Sequence, residues 1–581
     1  MVVKLRHYLR CYNKNTELNI LNLFSARQNM WSGSFSSSYS CWKRTWVTLP
    51  IGLLLLVIRT WPRLLHPEVW QEDGTYNLPG FFQNGLTDLL EPVNGYLIVV
   101  PKMITMLSVS ISITQYPMIS TFLACGVMLV VFYIVATAPI HIHGGILLAA
   151  ACLLLPSNPE VFGLPLYSFW WTSILLFVVV FWNANQNDWI LRAVIIIMAS
   201  LSSPVCIATL PLLWVRVCFL RKNPREISLT LLATSCVAIQ IWIMIHSNIY
   251  VVSQINIASF YLIITKFIGS YAIGNIFPMF RWYFGLFILS LLIVTVLRDL
   301  RSPAKWGLAY LLCATILMSI SRLSINHLHQ AIGSPRYFFF PFIILSWFLL
   351  QIALTETSRL LRMGALFILC LSILNAIPVL DRKHDDLNWA THLASCPHFK
   401  EYELPVHIDG NIAGTWALKL TKQQCNSLLD KDPFFKPAVT GGFPFRVIRK
   451  HPDDRPFEQN DVTVAINKVQ PGNEWLGADP QKSHKNGIVV LGSFMDSGAG
   501  TGSLTLKMRR GDKLLYRSGL LRSGQFIEVQ APLFRVTTSP VAREWVQLDF
   551  SNDLLPDEFS VIFSDRSTDW HEWSAIMLKA D

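Results

Sequence analysis

The chain has 581 residues, of which 52% are hydrophobic and only 15% are charged, and its formal net charge is +11. Soluble domains carry about 25% charged residues, so this composition excludes an ordinary soluble protein and predicts a membrane protein. A basic soluble protein would suggest nucleic-acid binding, but the sequence has no basic motif with interleaved aromatic residues. We therefore attribute the charge to Lys- and Arg-rich loops that hold a membrane topology, and predict no nucleic-acid partner.

The N-terminal segment 1–44 is polar, basic and rich in Ser. It lacks the apolar region and small-residue cleavage site of a signal peptide. We predict a cytoplasmic basic tail, and Met30 is an alternative start to Met1 because it lies just before the more regular part of the sequence.

Apolar segments recur throughout residues 45–380, and a run of about 20 such residues can cross a bilayer as a helix. We predict an α-helical polytopic membrane protein with about eleven transmembrane helices. These lie near 45–61, 116–136, 144–156, 166–182, 189–203, 205–220, 227–246, 282–297, 305–321, 337–354 and 363–380.

Segment 95–114 is a twelfth candidate, but Pro101 and Lys102 interrupt it. The tail ends in a basic pair, and the other strongly basic loops are 221–226, 298–305 and 358–362. All of them fall on the cytoplasmic side only if 95–114 does not cross, as the positive-inside rule requires. We therefore place 95–114 on the outer face, within a first periplasmic loop 62–115, with the N-terminus inside and the C-terminus outside.

Residues 381–581 contain no further span and become richer in charged residues, Gly and Pro. The period-two alternation in SLTLKMRRGDKLLYRSG (503–519) predicts strands with a turn at Gly511 and Asp512. We predict a periplasmic β-sandwich-like domain over 460–581 behind a mixed α/β lead-in over 381–459. Trp570 and Trp573 either stack on a sugar or pack within this domain, because fold alone does not fix function.

Cys396 and Cys425 are the only cysteines in this external region. An oxidising periplasm would allow them to form a disulfide, which is a possible pairing that sequence cannot decide. No cysteine spacing suggests a metal-thiolate site.

Two adjacent carboxylates, Glu72 and Asp73, follow Trp70 in HPEVWQEDG (66–74), just after the first predicted span. An acidic side chain at mid-membrane costs roughly 2.5–3.5 kcal/mol on insertion scales, so we expect both at the outer interface. Desolvation there raises the pKa of a carboxylate and makes it a candidate general base for a substrate hydroxyl. The alternative is a solvated turn at Asp73 and Gly74.

Further chemistry-bearing residues fall in the predicted outer loops. SNPEVFG (157–163) adds a carboxylate, GSPRYFFFP (333–341) adds a cation and a phenol, and two histidines precede that motif. Because Arg binds phosphate in a bidentate manner, these loops predict a site for a lipid phosphate. The candidate phosphate ligands are Arg336, Lys102 and Tyr337, and the candidate substrate-cavity residues are Glu160, Trp70, His327 and His329. The alternatives are interfacial anchoring for Arg336 and an ordinary loop role for the histidines.

This pattern resembles the polytopic glycosyltransferases of the GT-C class. In that class a first external loop follows the first span, carries an acidic motif and contains helices lying on the membrane. The matching motifs are HPEVWQEDG, PVNGYLIVVPKMITML (92–107), SNPEVFG and GSPRYFFFP. More narrowly, the sequence is similar to bacterial inner-membrane proteins of surface-polysaccharide clusters, including glucosyl-transferring modifiers of O-antigen. The resemblance covers 45–380 and leaves the C-terminal domain unmatched.

The resemblance implies a polyprenyl-phosphate-linked sugar as donor and a periplasmic glycan, such as O-antigen, as acceptor. Asp73 would be the base that deprotonates the acceptor hydroxyl, with Glu72 as the competing candidate. Arg336, with Lys102, would hold the donor phosphate, and a single displacement would invert the anomeric centre. Some GT-C enzymes use a divalent metal, but the sequence offers no clear metal constellation, so we predict no cofactor.

Other functions remain open at this point. An O-antigen or capsule polymerase would use a lipid pyrophosphate donor and arginines in large periplasmic loops. A lipid-linked glycan transporter or flippase would show internal repeats and ionisable residues inside its spans. A non-catalytic assembly protein would tolerate replacement of both Asp73 and Arg336. The glycosyltransferase hypothesis instead requires Asp73, Glu160 and Arg336 to open onto one cavity at the periplasmic edge of the bilayer.

Overall fold

The computed structural model describes residues 41–580 except 185–187, 221–222, 248–256, 332–333, 381–385, 409–410, 436–441, 450–454, 456, 471–486, 496–497, 500, 520–523, 539–541, 543 and 567–572. The predicted tail 1–44 lies almost wholly outside the described residues. The chain forms two compact units, which we call the helical unit (Met1–Trp61, Thr87–Ile104 and Phe122–Arg382) and the mixed unit (Pro62–Leu86, Thr105–Thr121 and Lys383–Asp581).

Seventeen α-helices are present in the described residues. In chain order they are α1 Cys41–Leu65, α2 Leu78–Asn84, α3 Val99–Ile111, α4 Tyr116–Thr137, α5 Gly145–Leu153, α6 Ser168–Val180, α7 Trp189–Ser200, α8 Val205–Phe219, α9 Pro224–His246, α10 Ile257–Ile263, α11 Ser270–Ile273, α12 Arg281–Arg298, α13 Pro303–Arg322, α14 Phe339–Thr355, α15 Arg359–Ala376, α16 Trp389–Ser395 and α17 Lys422–Asp430.

Seven helical segments in the described residues are long and apolar enough to cross a membrane. They are Trp46–Leu65, Tyr116–Thr137, Pro224–His246, Pro278–Arg298, Pro303–Arg322, Pro335–Thr355 and Arg359–Val379. The protein is therefore a multi-pass membrane protein. The other four of the eleven predicted spans form helices too short for this criterion, α5, α6, α7 and α8. Every residue of α6 is buried, as expected of a helix that is apolar on all sides and packed among other helices.

Segment 95–114 forms the 13-residue helix α3, which is shorter than a membrane span. Its first residues pack on the turn between α7 and α8. The Val99 N–H donates to the Leu201 carbonyl at 3.4 Å, and the Val100 N–H donates to Ser202 Oγ at 3.0 Å. The start of α3 therefore lies at the same end of the helical unit as this turn.

Thirteen β-strands are present in the described residues, all in the mixed unit. They are β1 Glu401–Ile408, β2 Asn411–Thr421, β3 Arg446–Ile448, β4 Ile488–Gly492, β5 Phe494–Met495, β6 Gly498–Ala499, β7 Gly502–Arg509, β8 Lys513–Ser518, β9 Gln525–Ala531, β10 Phe534–Thr538, β11 Val546–Asp549, β12 Glu558–Asp565 and β13 Ser574–Lys579.

Two antiparallel sheets form a β-sandwich in the mixed unit, with strand orders β10-β9-β12-β7 and β3-β11-β8-β13-β4. Inward-facing side chains of both sheets share one core, which includes Leu506, Val529, Leu548, Val561 and Ile576. The predicted turn at Gly511 has φ 92°, a conformation that glycine adopts without strain. It carries the chain from β7 in one sheet to β8 in the other.

Two domain boundaries in the structure differ from those predicted from the sequence. Strand β3 belongs to the sandwich, so the sandwich begins before residue 460. Residues 62–86 and 105–115 of the first loop belong to the mixed unit, whereas residues 87–104 belong to the helical unit. The reason is a second hydrophobic core, in which Val69, Leu78 and Ile113 pack with Trp389 and Tyr402. Such long-range packing leaves no local pattern in the sequence.

Candidate functional site

The residues predicted to form the site are divided between the two units. Trp70, Glu72 and Asp73 belong to the mixed unit, whereas Lys102, Glu160, Arg336, Tyr337 and the two histidines belong to the helical unit.

The acidic segment of the mixed unit is buried and is not a solvated turn. Asp73 is 0% exposed, Glu72 is 8% exposed and Trp70 is 1% exposed. Asp73 begins a π-helical turn, Asp73–Asn77, which brings the Asn77 amide back to it. Asn77 Nδ2 donates to Asp73 Oδ1 at 2.8 Å. A buried carboxylate with an amide donor is a plausible acid–base group once a substrate hydroxyl lies within hydrogen-bond reach.

Close packing fixes the backbone beside Asp73. A Cβ on Gly74 would lie 2.2 Å from Val406 Cγ1 on strand β1, so only glycine fits here without movement. The Arg63 guanidinium lies 5.7 Å from the centroid of the Trp70 ring, a cation–π distance. Glu68, which sequence reasoning did not single out, is a third buried carboxylate in this segment at 2% exposed. The sequence signal that could have identified Glu68 is its position in the same short segment as Glu72 and Asp73.

In the helical unit, Arg336 and Glu160 form an ion pair, although 176 positions separate them in the chain. Arg336 Nη1 donates to Glu160 Oε1 at 2.6 Å and to the Tyr167 hydroxyl oxygen at 2.8 Å. The Tyr167 hydroxyl in turn donates to Glu160 Oε1 at 2.7 Å. The Glu160 side chain is 4% exposed and that of Arg336 is 25% exposed. The Glu160 carboxylate therefore orients the Arg336 guanidinium, and part of the guanidinium stays accessible.

The local sequence explains how these two side chains are presented. Asn158 Oδ1 accepts the Glu160 N–H at 3.0 Å and caps the short turn Pro159–Val161. Ser334 has φ 53°, a left-handed conformation that turns the chain into Pro335–Phe338 at the start of α14. The Arg336 guanidinium lies within cation–π distance of two phenol rings, 5.7 Å from the Tyr167 centroid and 5.6 Å from the Tyr337 centroid.

Aromatic contacts extend from Tyr337 to a second arginine. Tyr337 meets Trp170 edge-on at 6.1 Å, and Trp170 in turn contacts Phe169 at 5.6 Å. Phe169 contacts Tyr96 at 6.0 Å, over which the Arg322 guanidinium lies at 5.4 Å. Sequence reasoning missed Arg322 because it ends a span, a position that suits interfacial anchoring equally well.

Arg59 is a third cation in this part of the helical unit, and it is 2% exposed. Its Nη2 donates to the carbonyls of Leu155 and Ser157, and its guanidinium lies 4.4 Å from the Phe162 ring centroid. Its Nε and Nη1 have no hydrogen-bond partner among the described residues. Sequence reasoning missed Arg59, although an ionisable residue inside a predicted span is a functional candidate by default.

The two predicted histidines differ in environment. His327 is exposed, whereas His329 is half-buried and its Nδ1 accepts the Ala331 N–H at 3.2 Å. Burial lowers the pKa of His329, and the positive charges of Arg281 and Lys266 lower it further. Lys266 Nζ donates to the carbonyls of Ile325, Asn326 and Leu328. The backbone of the loop that carries both histidines therefore binds the Lys266 ammonium group.

Lys102 does not fit its predicted phosphate-binding role. Its ammonium group donates to Asp88 Oδ1 at 2.8 Å and to the carbonyls of Asp88 and Glu91 at 2.6 and 2.9 Å. A Lys side chain has three donors, and all three are used here. Lys102 therefore holds the 88–91 loop and has no donor left for a phosphate in this structure.

Two other predicted features lie in the mixed unit. The structure joins Cys396 and Cys425 by a disulfide with a Cα–Cα distance of 5.8 Å. Trp573 is half-buried and the Arg517 guanidinium lies 5.7 Å from its ring centroid, whereas Trp570 lies outside the described residues. No group of three or more His, Cys, Asp or Glu side chains that could hold a metal ion occurs within the described ranges.

No family model matches the sequence, and no curated protein matches it. Among solved structures, the arabinosyltransferase EmbB from Mycobacterium smegmatis matches 96% of this chain and 67% of its own, with 11% sequence identity. The TM-score of this match is 0.26, which is too low to support an argument about fold or function.

Proposed function

We propose that this protein is a membrane glycosyltransferase of the GT-C type, which moves a sugar from a polyprenyl-phosphate donor to a glycan acceptor. The observation that carries the proposal is the occurrence of three arginines in connected parts of the helical unit, one of which, Arg336, pairs with Glu160. Arg336 bonds to Glu160, and Arg59 bonds to the Ser157 carbonyl in the same loop as Glu160. Arg322 lies over Tyr96, which aromatic contacts connect to Tyr337. Such an excess of guanidinium groups suits a phosphate ligand.

The donor phosphate site is assigned to Arg336, with Arg59 and Arg322 in place of Lys102. Arg59 supports this assignment because its orphan N–H groups are buried, and a buried donor without a partner costs about 1–3 kcal/mol. A phosphate oxygen would satisfy such a donor. Tyr337, whose ring centroid lies 5.6 Å from the Arg336 guanidinium, is assigned to the same phosphate site.

The reaction is a single displacement at the anomeric carbon. The acceptor hydroxyl gives its proton to a carboxylate, and its oxygen forms the new bond to the anomeric carbon. The bond from that carbon to the phosphate oxygen breaks, and polyprenyl phosphate leaves with the electron pair. Arginines that bind the phosphate stabilise the charge that develops on it, which is usually the largest catalytic term. The base is assigned to Asp73, with Glu72 as the competing candidate.

We place the enzyme in the bacterial inner membrane, with the N-terminus in the cytoplasm and the C-terminal domain in the periplasm. The support for this orientation is the position of the basic loops, which the positive-inside rule puts in the cytoplasm. The acceptor would then be a periplasmic glycan, such as O-antigen or another surface polysaccharide.

The test uses the full-length protein in lipid nanodiscs, a polyprenyl-phosphate-linked sugar and a glycan acceptor. Asp73→Asn, Glu72→Gln and the double variant are compared with Asp430→Asn, which alters an exposed carboxylate of the same unit. We expect the Asp430 variant to keep activity and the Asp73 variant to lose at least 100-fold, within the range for general bases. Normal transfer by the double variant would remove these carboxylates from the mechanism.

The same protein in sealed vesicles separates transfer from transport. A glycosyltransferase forms the sugar–acceptor product whether or not the membrane is sealed. A flippase moves the lipid-linked sugar across a sealed bilayer and forms no such product, and that result would overturn the proposal.

A further inference from the structure

A cavity of about 330 Å³ lies in the helical unit where α6 and α8 end and α13 begins. Its size is at the lower end of the roughly 300–1000 Å³ of ligand pockets. Its walls are mainly apolar and include Phe181, Leu212, Val215, Phe219, Leu300 and Trp306. The cavity therefore suits a narrow hydrocarbon chain better than a polar metabolite.

Several wall residues also face outward. Trp306 is 50% exposed, Leu300 is 54% exposed and Val215 is 48% exposed. Trp306 belongs to the candidate span Pro303–Arg322, so we expect this exposed side to face lipid rather than water. The cavity would then be accessible from the bilayer.

The mouth of the cavity is cationic. Arg301 is an exposed lining residue two positions before the first residue of α13, Pro303, and it forms no ion pair with the described residues. The helix start adds backbone N–H groups and a partial positive charge. The neighbouring carboxylates are engaged elsewhere, because Lys305 Nζ pairs with Glu356 and, at 3.3 Å, with Asp299.

The wall is held by an internal ion cluster. Glu226 accepts from Arg192 at 2.6 Å and from Arg216 at 2.7 Å, and all three side chains are buried. Arg216 Nη1 also donates at 3.3 Å to the carbonyl of Val180, a residue of the cavity wall. The ends of α6 and α8 are therefore tied together without a ligand, which indicates a preformed cavity.

We propose that this cavity binds an anionic phospholipid of the surrounding bilayer, with one acyl chain in the cavity and the phosphate on Arg301 at the start of α13. The basic loops at this end would face the cytoplasmic leaflet, whose anionic lipids attract Arg side chains. This site is separate from the Arg336 cluster and does not depend on the proposed transferase activity.

Native mass spectrometry of the full-length protein tests the site. The protein is extracted in detergent and titrated with phosphatidylglycerol or phosphatidylcholine of matched chains. We expect one tightly held phosphatidylglycerol on the wild-type protein. Arg301→Gln should weaken phosphatidylglycerol binding roughly ten-fold, which is the effect of losing one charge-assisted hydrogen bond. Val215→Trp, which fills the cavity, should abolish retention of the chain whatever its head group.

Arg359→Gln is the matched control, because Arg359 is another exposed arginine at a helix start but does not line the cavity. It should retain phosphatidylglycerol like the wild type. Equal retention by the Arg301 and Arg359 variants would overturn the proposal, as would equal affinity for the two phospholipids. Preferential displacement by polyprenyl phosphate would also overturn it, by showing that the cavity is a donor site. Thermal unfolding of each variant verifies that it is folded.

Discussion

Arg336 Nη1 and Glu160 Oε1 are joined by a 2.6 Å hydrogen bond in which the carboxylate is almost completely buried. The same carboxylate oxygen accepts from the Tyr167 hydroxyl, so three groups of the helical unit form one closed triangle. We therefore expect Glu160 to position Arg336 rather than to touch the reacting atoms.

Replacing Glu160 by Gln should impair donor binding more than chemistry. The neutral amide keeps the shape but loses the charge that orients Arg336, so the donor KM should rise roughly ten-fold while kcat changes less. Steady-state kinetics against donor concentration would measure this split. Tyr167→Phe removes only one hydroxyl contact and should have a smaller effect. An unchanged donor KM in the Gln variant would show that Glu160 does not position Arg336.

The orphan donors of Arg59 lead to a separate prediction. Arg59→Lys keeps the positive charge but loses the planar fork, so it should weaken donor binding about 10-fold or more. Arg359→Lys is the control, because this arginine is exposed at the first residue of α15. Binding would be followed as the rise in Tm that polyprenyl phosphate causes. The same rise in wild type and Arg59→Lys would exclude Arg59 from the phosphate site.

The sequence predicted the helical segments because long apolar runs are a local signal. It also predicted that Glu160 and Arg336 open onto one cavity, but not their direct contact, since nothing local relates residues so far apart. The sequence makes Lys102 a phosphate candidate because it is a cation in segment 95–114, which is predicted to lie on the outer face. Its actual partners are the Asp88 side chain and two backbone carbonyls, and carbonyl positions are not visible in a sequence.

The division into units was also hidden from sequence. The first loop was predicted as one segment, 62–115, because no span interrupts it. In the structure Val69 and Leu78 of this loop pack in a core with Leu393 and Leu404. Hydrophobic patterning shows that a residue is buried, but it does not show against which distant segment.

The contact of Gly74 with Val406 predicts a specific suppressor. Gly74→Ala should destabilise the mixed unit by about 1–3 kcal/mol, because the new methyl group overlaps Val406. Val406→Ala should restore much of this loss in the double variant, since it removes the overlapping methyl groups. Thermal unfolding and transferase activity would be measured for all three variants. Gly126→Ala is the control, because its Cβ has no neighbour within 4 Å.

If Gly74→Ala folds normally yet lowers activity, the effect acts through the position of Asp73. No stability change in Gly74→Ala, or no recovery in the double variant, would contradict the packing argument.

His392 makes the mixed unit sensitive to acid. Burial, together with the positive charge of Arg449, lowers its pKa well below the ordinary value of 6.5. Its Nδ1 is 2.8 Å from the Tyr402 hydroxyl, and its ring is 4.9 Å from Phe443. Below about pH 6.5 the unfolded chain binds a proton that the folded state excludes, so stability falls with falling pH.

The expected loss is about 1.4 kcal/mol for each pH unit between 6.5 and the lowered pKa, and stability is complete above this window. Thermal unfolding at pH 7.5 and 5.5 would measure it. His392→Phe should remove most of the difference between the two pH values, whereas replacement of the exposed His327 should leave it intact. An equal pH effect in the His392 and His327 variants would assign the acid sensitivity to another group.

The disulfide between Cys396 and Cys425 closes a loop with a sequence separation of 29, and both residues are 0% exposed in the core that also holds Val69 and Leu78. A cross-link of this length restricts the unfolded chain and contributes about 2–4 kcal/mol. Adding reductant should therefore lower the Tm of the wild-type protein, and the double Cys→Ala variant should have a low Tm with or without reductant. Cys218→Ala, which alters an exposed free thiol, should behave like the wild type.

Because this core also packs the segment next to Glu72 and Asp73, reduction should lower transferase activity at temperatures where the helical unit remains folded. A reductant-insensitive Tm and activity in the wild type would show that the cross-link contributes nothing to this core.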